Sequence, residues 1–306
     1  MITVLLATYN GEKYLSEQLD SLLGQSFNNF KILIRDDGSV DGTKAIIDSY
    51  CEKYPDKISV IEGEKTGSAC RNFFKLVDAV NDDYIMFCDQ DDVWLPKKIE
   101  KTFKKMSEVE SEAPGLPVLV HSDLKVVDKE LNVLSDSFFE FQAISPERDK
   151  LNNLLVQNNV TGCTVMINRE MLKLAKEAPK TCVMHDWWLA LLACCFGRSA
   201  YIKEPLMLYR QHGNNQVGAK KATGLTFIIN KFKTRKNVAQ NYRNLYSQAE
   251  SLLIRYGDRM TAQQRETVGA LIGLCNASKF KKIATIRKYD FRKNTFLRTV
   301  GQYFSI

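Results

Sequence analysis

The chain has only three histidines, and none of its eight cysteines belongs to a Cys-x-x-Cys pair. Neither a zinc knuckle nor a disulfide framework is indicated, and the cysteine usage fits a reducing cytosol. No apolar run approaches the length of a membrane span, and Met1 leads directly into Ile2-Thr3-Val4-Leu5-Leu6-Ala7 with no basic leader. The expectation is a protein that neither spans a membrane nor leaves the cell by a secretory signal. Internal repeats, low-complexity linkers and a Gly-rich phosphate loop of the Walker type are missing as well. Acidic residues run short in one region only. Residues 219–306 hold 18 Lys and Arg against 4 Asp and Glu, a local charge of +14, whereas residues 1–218 carry −7. Such a block usually meets an anionic partner.

What is present is ordinary for a globular chain of 306 residues: 44% hydrophobic and 26% charged side chains. Those proportions exclude disorder as the dominant state. Short apolar runs at Ile2–Ala7, Phe30–Ile34, Ile58–Ile61 and Tyr84–Cys88 read as strands. Amphipathic stretches at Glu12–Leu23, Thr43–Tyr54 and Ser68–Val80 separate them as helices. This alternation predicts an α/β fold with a mostly parallel central sheet flanked by helices and a ligand crevice at the strand carboxyl ends. Val118–Val127, Val160–Ile167 and Leu206–Arg210 read as further strands, and Pro96–Val109 and His185–Cys195 as helices. Leu225–Tyr256 and Thr261–Ala277 then form a helical C-terminal extension. The domain reading is 1–218 for the α/β part and 219–306 for the basic helical extension.

The most informative stretch is Asp89-Gln90-Asp91-Asp92, directly after the fourth strand. Three carboxylates at one strand end are costly without a cation, and an all-oxygen set suits Mg²⁺ or Mn²⁺ shared with substrate phosphates. Asp89 and Asp91 lie one residue apart on extended backbone and point the same way, so Asp91 can bind the ion while Asp89 holds a ribose or a metal-bound water. A solvated acidic turn capped by Asp92 would also explain the pattern. Thr8-Tyr9-Asn10 ends the first strand and opens a helix, where backbone N–H groups and the Tyr9 ring can meet a nucleotide; a plain β–α turn is the alternative. Arg71, on the third helix, can reach phosphates or base with its guanidinium fork, or lie on the surface. Asp186 starts a helix, where a carboxylate is stabilised and aimed as a base, or simply caps. Trp187 and Trp188 can stack on a sugar ring, although one of the two suits a core better. Asp123 can contact a donor sugar, with a structural role favoured.

Taken in order, Ala7-Thr8-Tyr9-Asn10, Asp36-Asp37-Gly38-Ser39-Val40-Asp41-Gly42-Thr43, Gly67 with Arg71-Asn72-Phe73, Asp89-Gln90-Asp91-Asp92 and His185-Asp186-Trp187-Trp188 resemble the motif series of family 2 glycosyltransferases with the GT-A fold. The resemblance covers about residues 1–215. Asp-Gln-Asp-Asp-Val-Trp, followed by Tyr209-Arg210-Gln211-His212-Gly213-Asn214-Asn215, is most similar to bacterial rhamnosyltransferases that build cell-wall or capsular polysaccharides. The resemblance implies that Asp37 recognises the nucleotide base, and that His212 completes the metal or diphosphate site.

It further implies an inverting, metal-dependent hexosyl transfer from a nucleoside-diphosphate sugar, with dTDP-β-L-rhamnose favoured, to a glycan or lipid-linked acceptor. A UDP-hexose donor is the nearest alternative, and a non-catalytic sugar-binding or scaffolding protein a more distant one. No nucleic-acid partner is expected, and the long C-terminal helices can pair in a homodimer. Residues 279–306 interleave eight Lys and Arg with Phe280, Ile283, Ile286, Tyr289, Phe291, Phe296, Leu297, Tyr303 and Phe304. That mixture suits peripheral attachment to an anionic membrane surface from the cytoplasmic side.

Overall fold

The computed structural model describes residues 1–212 and 235–305. In chain order the elements are β1 (Ile2–Thr8), α1 (Leu15–Leu23), β2 (Phe30–Asp36), α2 (Thr43–Lys53), β3 (Ile58–Val60), α3 (Ala69–Ala79), β4 (Tyr84–Cys88), β5 (Val93–Trp94) and α4 (Lys98–Glu112). They continue with β6 (Val118–Val127), β7 (Val133–Ser135), α5 (Phe138–Gln142), α6 (Leu151–Leu154), β8 (Met166–Asn168), α7 (Arg169–Ala175), α8 (His185–Phe196) and β9 (Arg198–Arg210). Four helices follow: α9 (Arg235–Tyr256), α10 (Ala262–Ile272), α11 (Lys279–Lys288) and α12 (Phe296–Ser305).

The strands form one sheet in the order β3-β2-β1-β4-β8-β6-β9-β5, with β7 paired to β6. Pairings β1–β2, β1–β4, β2–β3 and β6–β9 are parallel, while β8 runs antiparallel to both β4 and β6. Every residue of β1 is buried, as expected of a strand covered by helices on both faces. Alternation along the strand sends Leu5 into one core, with Phe73, Phe87 and Trp188. Val4 and Leu6 go into the other, with Leu19, Ile34 and Ile99. Strand order reverses at β1, since β2 lies on one side and β4 on the other. Such a reversal leaves a crevice at the carboxyl ends of the two strands.

Three expectations change. Val160–Ile167 is not a continuous strand: residues Gly162–Thr164 form a 3₁₀ turn, and only Met166–Asn168 pairs in the sheet. The turn closes through Thr164 N–H to Thr161 O at 2.9 Å and Val165 N–H to Gly162 O at 3.0 Å, and it leaves Gly162 N–H free to donate to Asp186. β9 begins at Arg198, well before the predicted Leu206, and pairs along β6. Finally, Ile286 and Phe291 of the C-terminal segment are fully buried, in one core with Trp188, Tyr246, Leu252 and Val268. They are fixed by tertiary packing and are withdrawn from any membrane-facing surface. The backbone there is tied down too. Arg148 donates to Arg292 O at 2.8 Å, Asn152 to Asp290 O at 3.0 Å, and Ser145 N–H to Asn294 Oδ1 at 2.8 Å. The domain boundary at 218/219, the start of the predicted helix at Leu225 and Gly213-Asn214-Asn215 lie outside the described residues.

Candidate active site

A cavity of about 550 Å³ lies at the carboxyl ends of β1, β2 and β4, walled by α3 on one side and by α8 and the turn before β8 on the other. Thr8, Tyr9, Asp37, Asp89, Asp91 and Asp186 all line it. Residues from Ala7 to Tyr209 thus share one crevice, which suits a ligand with several polar groups.

At the end of β1, Gln90 clamps the Tyr9 backbone: Tyr9 N–H donates to Gln90 Oε1 at 2.7 Å, and Gln90 Nε2 donates to Tyr9 O at 2.9 Å. The exposed Tyr9 ring faces the cavity, with Lys65 Nζ 4.4 Å from its centroid. Thr8 is buried and donates its hydroxyl to Asp36 Oδ1 at 2.9 Å. Asn10 is outside the lining. Its φ is 49°, and its Oδ1 accepts from Val40 N–H at 3.0 Å, so it holds the loop after β2 in place.

Asp37 sits at the floor. Its carboxylate accepts Thr66 N–H at 2.6 Å and Gly67 N–H at 2.8 Å, and pairs with the buried Arg35 guanidinium at 3.3 Å. Burial raises the pKa of this group, but those donors more than offset it and hold Asp37 below its ordinary value. Gly67 reaches this position at φ +69°, in the left-handed region where a Cβ is strained. Asn72 Oδ1 accepts from Arg35 at 2.7 Å and completes the support. Its neighbour Arg71 is exposed on α3 and is not part of the cavity wall.

The carboxylates after β4 separate into two layers. Asp89 and Asp91 line the cavity, and His212 Nε2 lies 2.7 Å from Asp91 Oδ2. Behind them Asp92 is fully buried. Its Oδ1 accepts Arg210 N–H at 3.1 Å, and its Oδ2 has no partner among the described residues. Burial, together with the charges of Asp91 and Asp186, pushes Asp89 up to about 7. Burial, Asp91 and Asp89 push Asp92 well above its usual range. Lys98 lends its charge to this layer; it is fully buried, with Nζ donating to Cys163 O at 2.5 Å and lying 3.7 Å from the Trp94 ring centroid. Burial pulls Lys98 down to about 8, and its charge lowers Asp89 and Asp92 by less than their burial raises them. The raised Asp89 carboxyl beside Asp91, both facing the cavity, fits a divalent cation. Asp89, Asp92 and Cys163 also come within 4.8 Å of one another. However, Cys163 and Asp92 are closed off and burial keeps the thiol protonated, so the set that can share an ion with a phosphate is the cavity-facing one.

Across the cavity, Asp186 stands in the first turn of α8. Its Oδ2 accepts Gly162 N–H at 2.9 Å, and its Oδ1 accepts Asn158 Nδ2 at 3.1 Å and Trp187 N–H at 2.5 Å. Burial nevertheless pushes it up to about 7, in the range of a general base. His185 packs on Phe73 and Phe87, with ring centroids 4.1 and 5.1 Å away, and burial lowers it to about 3. A Cβ on Gly162 would lie 2.7 Å from His185 Nε2, so glycine is required for the turn to approach Asp186.

Trp187 and Trp188 part company. Trp188 is fully buried, with its ring centroid 6.3 Å from that of Tyr256, and so belongs to the core rather than to the acceptor side. Trp187 is half-buried and its Nε1 donates to Leu154 O at 2.6 Å. Asp123 is buried and caps α5, accepting from the Ser137 hydroxyl at 2.5 Å and Phe138 N–H at 3.0 Å. It does not line the cavity.

Sequence reasoning passed over Lys98, Gln90, Asn158 and Arg210. Only Lys98 left a signal: positions 98, 102, 106 and 109 form the buried stripe of α4, and a lysine on an apolar stripe marks a paired charge. Arg210 shows its role only in three dimensions, donating to Asp91 O at 2.9 Å and Lys129 O at 2.7 Å and pairing with Glu17.

A family model described as Glycosyl transferase family 2 matches residues 3–174. A dTDP-rhamnosyl transferase, RfbG, of Shigella flexneri is 34% identical over 229 residues, covering 70% of this chain and 74% of that protein. Among solved structures, S. aureus TarS 1-349 in complex with UDP-GlcNAc superposes with a TM-score of 0.53 at 16% identity, over 95% of this chain and 88% of that one. The mannosyltransferase PcManGT from Pyrobaculum calidifontis, in complex with GDP-Man and Mn²⁺, gives a TM-score of 0.53 at 12% identity, over 94% and 84% of the two chains. These structural neighbours establish the GT-A fold.

Proposed function

Because this chain belongs to glycosyl transferase family 2, and is a glycosyltransferase related to a rhamnosyltransferase, we propose that it inverts an anomeric carbon by divalent-cation-dependent transfer from a nucleoside-diphosphate sugar. The observation that carries this reading is that Asp186 and the Asp89–Asp91 pair line one cavity. Inversion requires a base on one face of the sugar and stabilisation of the departing diphosphate on the other.

Asp37 and the Tyr9 ring receive the base and ribose end of the donor, with Thr8 shaping the strand end. Asp89 orients the ribose or donor sugar. Asp91, supported by His212, is the ligand for Mg²⁺ or Mn²⁺, and Asn10 acts from outside the cavity by holding the loop. When bound, the ion neutralises charge on the leaving diphosphate. Asp186 takes the proton from the acceptor hydroxyl, held in orientation by Gly162 N–H and Asn158. A carboxylate can accept from the N3–H of thymine and of uracil alike, so Asp37 does not discriminate between dTDP and UDP donors.

The donor is dTDP-β-L-rhamnose, a choice supported by the relative in Shigella flexneri and by the Asp-Gln-Asp-Asp-Val-Trp wording. The acceptor is a cell-surface polysaccharide or lipid-linked glycan. Residues 1–218 form the catalytic unit. Residues 219–306 serve the acceptor side, working at the cytoplasmic face of the membrane. Exposed Phe280, flanked in sequence by Lys279, Lys281 and Lys282, and exposed Phe296 and Leu297 support that contact. Among the described residues no helix is long and apolar enough to cross a membrane. The deciding experiment is a donor screen by thermal shift and donor hydrolysis. Protection by dTDP-rhamnose and not by UDP-sugars is expected; protection by a UDP-hexose alone would replace the donor.

A further inference from the structure

The last turn of α5 ends in carbonyls that no helical N–H reaches, and the donors that meet them come from the C-terminal helix. Ala143 stands at φ 47°, in the left-handed region where a Cβ is strained. Arg298 of α12 spans this turn: its guanidinium donates to Gln142 O at 2.6 Å and to Ala143 O at 3.2 Å. Gln142 and Ile144, on either side of Ala143, both line the first cavity.

Asn294, four residues before Arg298, joins two further segments. Its Oδ1 accepts Ser145 N–H at 2.8 Å, and its own N–H donates to Gln157 Oε1 at 2.9 Å. Gln157 precedes Asn158, which lines the cavity and whose Nδ2 holds Asp186 Oδ1 at 3.1 Å. Arg298, Gln157, Asn158 and Trp187 also border a smaller cavity of about 400 Å³. The bonds made by Asn294 and Arg298 thus reach wall segments between residues 142 and 158. Thr8, Tyr9 and Asp37 stand instead at the ends of β1 and β2.

We propose that Asn294 and Arg298 are positioning residues of the transfer site. Through residues 142–145 and 157–158 they set the wall formed by Gln142 and Ile144 and the orientation of Asp186, so the C-terminal segment completes the cavity. The inference rests on glycosyl transfer with Asp186 as the base. Loosening a wall by about 1 Å costs up to about 10²-fold in rate, even when the altered residue never touches the substrate.

The test uses the full chain with Asn294→Ala, Arg298→Ala and Arg298→Lys. Hydrogen exchange of the ligand-free protein, read by mass spectrometry, should quicken about tenfold at residues 142–145 in Arg298→Ala and at 145 and 157–158 in Asn294→Ala, and stay unchanged in β1 and α3. Hydrolysis of dTDP-rhamnose should fall about 10–100-fold in kcat in both alanine variants. The affinity of dTDP alone, read by calorimetry, should stay within about twofold of the wild type, since its partners lie on β1 and β2. Arg298→Lys keeps one donor and should recover part of the loss. Unchanged exchange in these segments, full turnover in the alanine variants, or a loss of dTDP affinity that matches the loss of kcat would each overturn the proposal. A failure of the donor reading appears in the wild type: if it hydrolyses UDP-glucose instead, the same comparison is made with UDP-glucose and UDP. A failure of Asp186 as the base appears separately, as an active Asp186→Asn enzyme.

Discussion

His212 Nε2 lies 2.7 Å from Asp91 Oδ2, although the two residues are 121 positions apart. The contact is fixed from both sides. Arg210, two residues before His212, donates to Asp91 O, and the His212 ring lies 5.0 Å from the Tyr14 ring. In the proposed mechanism this imidazole, held against a cavity-lining carboxylate, is the partner that orients Asp91 toward the ion.

From this pair follows the first prediction. Asp91→Ala should lower turnover by about 10³-fold or more, and excess EDTA should do the same to the wild type, because several kcal/mol of leaving-group stabilisation are removed. His212→Ala should cost about 10–100-fold in Mn²⁺ affinity, read by metal titration of activity. Full activity in EDTA would refute the metal-dependent mechanism.

Asp186→Asn should keep donor affinity and lose about 10²–10⁴-fold in turnover. The pH profile gives an independent signature. Asp186 is raised to about 7 by burial, and the ionisable groups near it are Asp89, Cys182 and the neutral His185. kcat/KM should rise with pH up to about 7 and then level off, since the ionised carboxylate is the active form. A flat profile from pH 5 to 8 would place the base elsewhere.

Stability should respond to pH in the same region. Asp89 is raised from 3.8 to about 7, so its contribution is complete below about 3.8 and is lost as pH rises through about 7. In EDTA, Asp89→Asn should therefore melt at a higher temperature than the wild type at pH 8, with the gap closing toward pH 4. Lys98→Met should act oppositely. Removing the buried cation takes away a charge that lowers Asp89, so the variant should be destabilised at pH 7.5 and less so at pH 5, measured by denaturant unfolding.

The proposed membrane contact depends on the side chains that packing leaves outside. Phe280 is 89% exposed and Phe296 81%, and Leu297 is also exposed. Replacing these three with Ser should abolish sedimentation with anionic liposomes at low salt without changing the melting temperature. In the wild type, rising salt should release the protein, because screening shortens the polybasic attraction. Undiminished liposome binding by the triple variant would dismiss the anchor. Deleting residues 279–306 is a different experiment: it removes Ile286 and Phe291 from the core and should impair folding.

The amino-acid pattern alone determined the strand ends. Apolar runs closed by Thr8-Tyr9, Asp36-Asp37 and Asp89-Gln90-Asp91 announce a crevice, because the period of a buried strand and the charge that ends it are both local properties. Which charges meet is not local. Asp91 with His212, Asp186 with Asn158 and Lys98 with Cys163 O are joined by strand order and by the turn at Gly162, and no spacing rule encodes those distances. Periodicity likewise identified Trp187 and Trp188 as neighbours on a helix. Only tertiary packing around α8 determined that Trp188 enters the core with Tyr256 while Trp187 faces a cavity. In the basic tail the same distinction withdrew Ile286 and Phe291 and left Phe280 and Phe296 outside. Composition records how much apolar surface a segment carries, and tertiary contact decides which part of it water still reaches.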